Sequence, residues 1–153
     1  MRLLLTSAGV TNTSIHNALV DLLGKPIAES SAVCIPTATH ALGKPELAWR
    51  FISGEEPRTP MCELGWTSLG VLELTALPSI DEERWFPWVQ ETDVLLVNGG
   101  DPLYLCYWMR QSGLADPLAV AARGLRGTER REHGDGSQHR GRLRQVEAVH
   151  RWR

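Results

Sequence analysis

TDVLLVNGGDPLYLCYWMRQSG, residues 92–113, carries the transition on which the fold turns. Thr92 to Val97 is a short, almost wholly apolar run, the composition of a parallel strand buried on both faces. Asn98-Gly99-Gly100-Asp101 then breaks the run. Pro102 to about Gln111 reads as a helix, with proline at its first position and Gly113 just past its end. A strand that passes through a glycine turn into a helix is half of a βα unit.

The same alternation recurs upstream. Arg2 to Ser7 (RLLLTS) is an apolar run ending in small polar residues and predicts a first strand. Thr13 or Ser14 can cap a helix whose Ile15, Ala18, Leu19, Leu22 and Leu23 share one stripe, stopped by Gly24 and Pro26. Ala32 to Ile35 gives a second strand, and Glu46 to Ile52 a short helix begun by Pro45 and ended by Gly54. Leu69 to Leu74 supplies a third strand. Ser79, followed by Asp81, Glu82 and Glu83, reads as a helix start with acid where the dipole favours it, and Pro87 as a kink in that helix. Repeated βα units joined by short connections predict an α/β fold with a doubly wound, mostly parallel sheet. Sites in such sheets sit at the carboxyl ends of the strands.

The 153 residues are 42% apolar and 22% charged, ordinary for one globular domain and unlike a disordered or fibrous chain. No apolar run reaches the roughly 20 residues of a membrane span, and the amino terminus does not read as a secretory leader, so a cytoplasmic protein with no membrane partner is expected. Cys34, Cys62 and Cys106 are odd in number and far apart, which suits reduced core thiols better than a disulfide frame or a metal clip.

The net charge of −2 conceals an asymmetry. Residues 1–122 hold 7 basic against 14 acidic side chains, whereas residues 123–153 hold 9 basic, all arginine, against 4 acidic. That tail has no apolar run longer than two residues, and Gly124, Gly127, Gly134, Gly136 and Gly141 oppose a helix. It is expected to stay out of the sheet, because unpaired arginines are costly to bury. One reading of it is a nucleic-acid arm, in which guanidinium groups neutralise phosphates without sequence readout.

Among candidate sites, the Asn98-Gly99-Gly100-Asp101 turn presents backbone N–H groups beside a helix amino terminus, where a phosphate or a developing oxyanion can be held. The plainer reading is a tight turn with Asp101 as N-cap. Ser7-Ala8-Gly9 lacks the flanking GxSxG of a nucleophile elbow and reads as a loop. His16 and His40 have no second ligand at metal spacing, and no metal or other cofactor is called for. Tyr104, Leu105, Tyr107, Trp108 and Met109 fall at helical spacing and read as packing residues, and nothing in the spacing of Trp49, Trp66, Trp85 and Trp88 assigns them to a cleft.

With VLLVNGGDPLYLCYWMRQSGL (residues 94–114) and the opening RLLLTSAG, the chain resembles the peptidase E (aspartyl dipeptidase) family of serine peptidases. The resemblance covers residues 1 to about 118 and implies a class I glutamine amidotransferase-like α/β fold. It also implies hydrolysis of small peptides, dipeptides with amino-terminal Asp among them, without a cofactor. Gly99 and Gly100 would be oxyanion-hole backbone, with Asn98 and Asp101 shaping the substrate site. The commoner family form has Asn-Thr after the two glycines, so Asp101-Pro102 is a variant. A strand leading into GxSAG should follow, and the serine, histidine and acid of the family all lie beyond the glycine turn. This chain has no GxSAG, so none of the three catalytic side chains transfers to it.

The genetic code offers a reason. Read one base over, Gly127 to Gly136 (GTERREHGDG) can encode GLSAGSMVM, and Gln145 to Arg153 can encode RWKPSTGG. One shift serves the whole tail. Residues 1–118 are therefore read as the amino-terminal part of a peptidase E-like domain, and residues 119–153 as a frameshifted tail that leaves the chain inactive. The alternative is a non-enzymatic α/β binding module with a basic arm.

Overall fold

The computed structural model describes residues 2–56, 58–124 and 147–151. In chain order these form β1 (Arg2–Thr6), α1 (Thr13–Leu23), β2 (Ser31–Ile35), a 3-10 turn (Thr37–Leu42), α2 (Pro45–Ser53), β3 (Ser68–Val71), α3 (Glu82–Glu91), β4 (Val94–Val97), α4 (Pro102–Gln111), α5 (Ala115–Gly124) and β5 (Glu147–Arg151). Local chemistry sets most of the boundaries. Asn12, rather than Thr13 or Ser14, caps α1, its Oδ1 accepting the Ile15 N–H at 2.9 Å. Gly24 and Gly54 end α1 and α2 in the left-handed region, which glycine enters without a Cβ penalty. Ser79 closes a short 3-10 turn instead of opening α3. That helix begins at Glu82 and runs through Pro87 to Glu91.

The sheet order is β1-β5-β4-β2-β3. β2 pairs in parallel with both β3 and β4, and β5 pairs antiparallel with both β1 and β4. β1 to β4 thus run one way and β5 alone runs against them. Alternation along the central strands divides the interior in two. Ala32, Cys34, Val94 and Leu96 face Leu19, Leu23 and Phe51 of α1 and α2. Val33, Ile35, Leu95 and Val97 face Trp85 and Val89 of α3, with Leu114 and the partly buried Trp108 and Met109 beside them. The β2–β3 crossover therefore lies on one face and the β3–β4 crossover on the other, which makes the carboxyl ends of β2 and β4 the topological switch point.

The expectation that residues 123–153 stay out of the layer is overturned for Glu147–Arg151. The register runs from Arg2 opposite Arg151 to Thr6 opposite Glu147, and from Leu95 opposite His150 to Val97 opposite Ala148. The physical reason is backbone satisfaction. β1 and β4 each need partners for the peptide groups on their facing edges, and this glycine-free pentapeptide supplies both sets. α5 likewise carries helix past Leu118 to Gly124. The shifted-frame segment Gly127 to Gly136 lies outside the described residues.

At the amino ends of the strands, Asp93 Oδ2 accepts from Lys25 Nζ at 2.8 Å, from the Ser31 N–H at 2.9 Å and from the Ser31 hydroxyl at 3.1 Å. Burial pushes the Asp93 carboxyl up, but these donors outweigh it and hold the group below its ordinary range. A depressed folded-state pKa contributes stability that is fully present above the unfolded value and is lost as pH falls through the folded one. Asp93→Asn should therefore lower unfolding free energy at neutral pH by about 1.5–3 kcal/mol, the range for a hydrogen bond to a charged group. Urea titrations of the two proteins should converge as pH drops below the carboxylate range. A gap constant with pH would assign the effect to packing alone.

Candidate functional site

The glycine turn stands at the carboxyl end of β4, beside the 3-10 turn that follows β2. The Asn98 N–H donates to the Ile35 carbonyl at 3.0 Å, which extends the parallel ladder one residue past the strand. Asn98 is buried, and its Oδ1 accepts the Gly99 N–H at 2.9 Å. The Asp101 N–H donates to the Ala38 carbonyl at 3.0 Å. Gly100 lies so close to that carbonyl that a Cβ would overlap it, so this position admits only glycine without moving the 3-10 turn. Asp101 caps α4, its Oδ1 accepting the Tyr104 N–H at 2.8 Å, and Pro102 takes the first helical position. Three of the four turn N–H donors are thus engaged within the chain, and the Gly100 N–H has no partner among the described residues. Asp101 adds a carboxylate to a helix end whose dipole favours negative charge.

A second cluster at this end of the sheet escaped the sequence. Glu73, placed by its composition inside the third strand, lies just beyond β3. Its Oε1 accepts from the Thr37 hydroxyl at 2.8 Å and from the Thr75 N–H and hydroxyl at 3.2 and 3.0 Å. Its Oε2 meets His40 Nε2 at 2.9 Å. Thr37 is fully buried and its hydroxyl accepts the Leu74 N–H at 3.1 Å. Glu73 therefore fastens the 3-10 turn to the end of β3, while Ala38 in the same turn fastens it to the glycine turn. The only sequence signal was Thr37, Glu73 and Thr75 flanking two strand ends, too sparse to assign.

The remaining candidates fall apart in space or into packing. Ser7 and His16 are exposed, the former in the loop after β1 and the latter on α1. On α4, Trp108 packs against the core with edge-to-face contacts to Tyr104 and Tyr107, but Tyr107 is largely exposed, so the aromatic stripe is only partly core. Trp85 is buried, and Trp49 and Trp88 are exposed. A cavity of about 400 Å³ lined by Ser31, Leu69, Trp88 and Glu91 opens at the amino ends of β2 and β3, the end away from the glycine turn. Among the described residues no group of three or more His, Cys, Asp or Glu is placed to hold a metal ion. No helix among them is long and apolar enough to cross a membrane.

No family model, no curated protein and no solved structure matches the chain.

Proposed function

We propose that the chain is built on a peptidase E-type serine peptidase fold and, as written, does not turn peptides over. The observation that carries this reading is the strand, glycine turn and capped helix at the switch point, with the Gly100 N–H available for an oxyanion. The reaction it implies is acyl transfer to a serine, in which a histidine oriented by an acid takes the hydroxyl proton while backbone N–H groups stabilise the tetrahedral intermediate. His40 and Glu73 pair a histidine with an acid at this end of the sheet. Among the described residues, however, no hydroxyl or thiol hydrogen-bonds the remaining ring nitrogen, so the pair has no nucleophile to activate.

Three features support a missing carboxyl half. β1 and β4 run in the same direction with one strand's width between them, a slot that would suit a parallel strand leading to a serine elbow. Leu3 and Leu5 share the sheet face of Leu95 and Val97 yet are 47% and 57% exposed, so the helix layer on that face stops short of β1. The buried Thr6 Oγ1 and Trp108 Nε1 find no partner among the described residues, and an unpartnered buried polar group costs about 1–3 kcal/mol. β5 weighs against the frameshift, since it gives part of the tail a place in the sheet. It weighs equally against a free nucleic-acid arm, whose support is the tail's nine arginines. The test is the coding DNA. Read one frame over from about the codon of Leu118, it should encode GxSAG and a long extension; stop codons in that frame would end the reading.

A further inference from the structure

The cavity at the amino ends of β2 and β3 lies at the opposite end of the sheet from the glycine turn and has no part in acyl-transfer chemistry. Its volume of about 400 Å³ is within the range of small-molecule sites. Trp88 forms its aromatic wall. Gly70 in β3 is what admits the indole: a Cβ there would overlap the benzo ring, so the ring lies directly on the strand. Trp88 is still 40% exposed, which leaves much of the ring system open to a ligand, and Leu69 adds apolar surface beside it. No spacing rule ties a helical tryptophan to a glycine in another element, so the sequence could not assign it.

The cavity carries charge of one sign. Glu91 stands one helical turn from Trp88 on α3, is exposed, and has no hydrogen-bond or ion-pair partner among the described residues. Among the described lining residues it alone is charged. It is also the last residue of α3, whose final turn holds no basic side chain, so its carboxylate adds to the negative end of the helix dipole. Lys25, which reaches this end of the sheet, is paired with Asp93 at 2.8 Å. Free hydrogen-bonding groups, by contrast, are scarce. The Ser31 hydroxyl donates to Asp93 Oδ2 and accepts the Asp93 N–H, both at 3.1 Å, and the Thr92 hydroxyl donates to the Trp88 carbonyl at 2.9 Å. Ser68 is left as the one lining hydroxyl without a partner among the described residues. A primary ammonium would bring three N–H donors that this site strips of water and does not replace, whereas a quaternary ammonium brings none. We propose that the cavity binds a soluble quaternary ammonium ion, its methyl groups on the Trp88 indole and Leu69, with Glu91 as the counter-charge. A phosphocholine headgroup carries the same cation, but its phosphate would meet the negative charge of Glu91 and the helix end.

The experiment is saturation-transfer NMR on the full chain at constant ionic strength, with choline chloride as the probe beside dimethylbutanol, its uncharged carbon isostere. The choline methyl protons should receive saturation, and those of the alcohol far less. Glu91→Gln should weaken choline binding about threefold, within the range for an exposed charge pair. Trp88→Leu should weaken it about tenfold, as loss of a partly desolvated cation–π contact requires. Gly70→Ala keeps both groups but moves the indole off its seat, and it should weaken binding as well. Circular dichroism checks the fold of each variant, and Glu91→Gln, at an exposed position, keeps the test decisive if Trp88→Leu does not fold. Phosphatidylcholine vesicles should not cosediment the protein. No saturation transfer to choline, equal transfer to the alcohol, choline affinity unchanged by Glu91→Gln, or cosedimentation with the vesicles without binding of free choline would each overturn the proposal.

Discussion

Purified as this chain, the protein is expected to leave Asp-Xaa dipeptides intact, while a version restored to the shifted frame from about Leu118 hydrolyses them. The contrast should be on the order of 10⁶-fold in kcat, the scale on which removing a serine nucleophile cripples a triad enzyme. Charge timing sets the contrast. The Gly100 N–H can stabilise an oxyanion only after a nucleophile has created one, and the His40–Glu73 pair presents no such nucleophile. Restoration supplies the GLSAGSMVM elbow, and changing its serine to alanine should return the protein to background. Equal hydrolysis by the two chains would overturn both the missing-serine argument and the frameshift. Activity only in the restored chain, lost with its serine, would uphold them.

The parts of the fold legible in the sequence are those fixed by neighbours a few residues apart. β1, β2, β4 and α4 fall within two residues of their sequence boundaries, because apolar runs, Pro102 and Gly113 act locally. α1 shifts its cap by one residue, to Asn12, for a reason still within one turn of helix. β3 ends at Val71 rather than Leu74. Its Leu72 N–H still bonds the Cys34 carbonyl at 2.9 Å, but beyond it Glu73 turns to gather Thr37, His40 and Thr75. Composition alone does not show that reversal, since LGVLEL is as apolar as any strand.

The candidate site was half legible for the same reason. Asn98 to Asp101 are contiguous, and the turn is where the sequence puts it. What occupies its donors is not contiguous: Ala38 takes the Asp101 N–H across the switch point, and Asn98 turns its own side chain onto Gly99. The Glu73–His40 pair is closed by tertiary packing, for which no short motif exists. β5 is the strongest case. Its arginine-rich surroundings argue for solvent, yet the unpaired edges of β1 and β4 outweigh composition over five residues.

Ending the chain after Gly124 should cost most of its stability. β5 is the one strand paired with β1 among the described residues, and it also covers the free edge of β4, so its loss strips two ladders at once. A net contribution of about 0.5–1.5 kcal/mol per hydrogen bond, summed over both ladders, reaches the order of 5 kcal/mol, comparable with the whole stability of a small domain. Far-UV circular dichroism and urea titration should show the truncated chain with a weak, shallow transition. Hydrogen exchange along Arg2–Thr6 should lose its protection first. Val149→Pro in the full chain keeps length and charge but removes one strand donor and bends the backbone opposite Leu4 and Leu96, so it should destabilise in the same direction. If both variants unfold at the midpoint of the parent, Glu147–Arg151 contributes nothing to the sheet in solution, and the tail is the foreign segment its composition describes. If both collapse, the arginine-rich carboxyl end is a working part of this fold, and any account of its origin has to explain a strand that fits between β1 and β4.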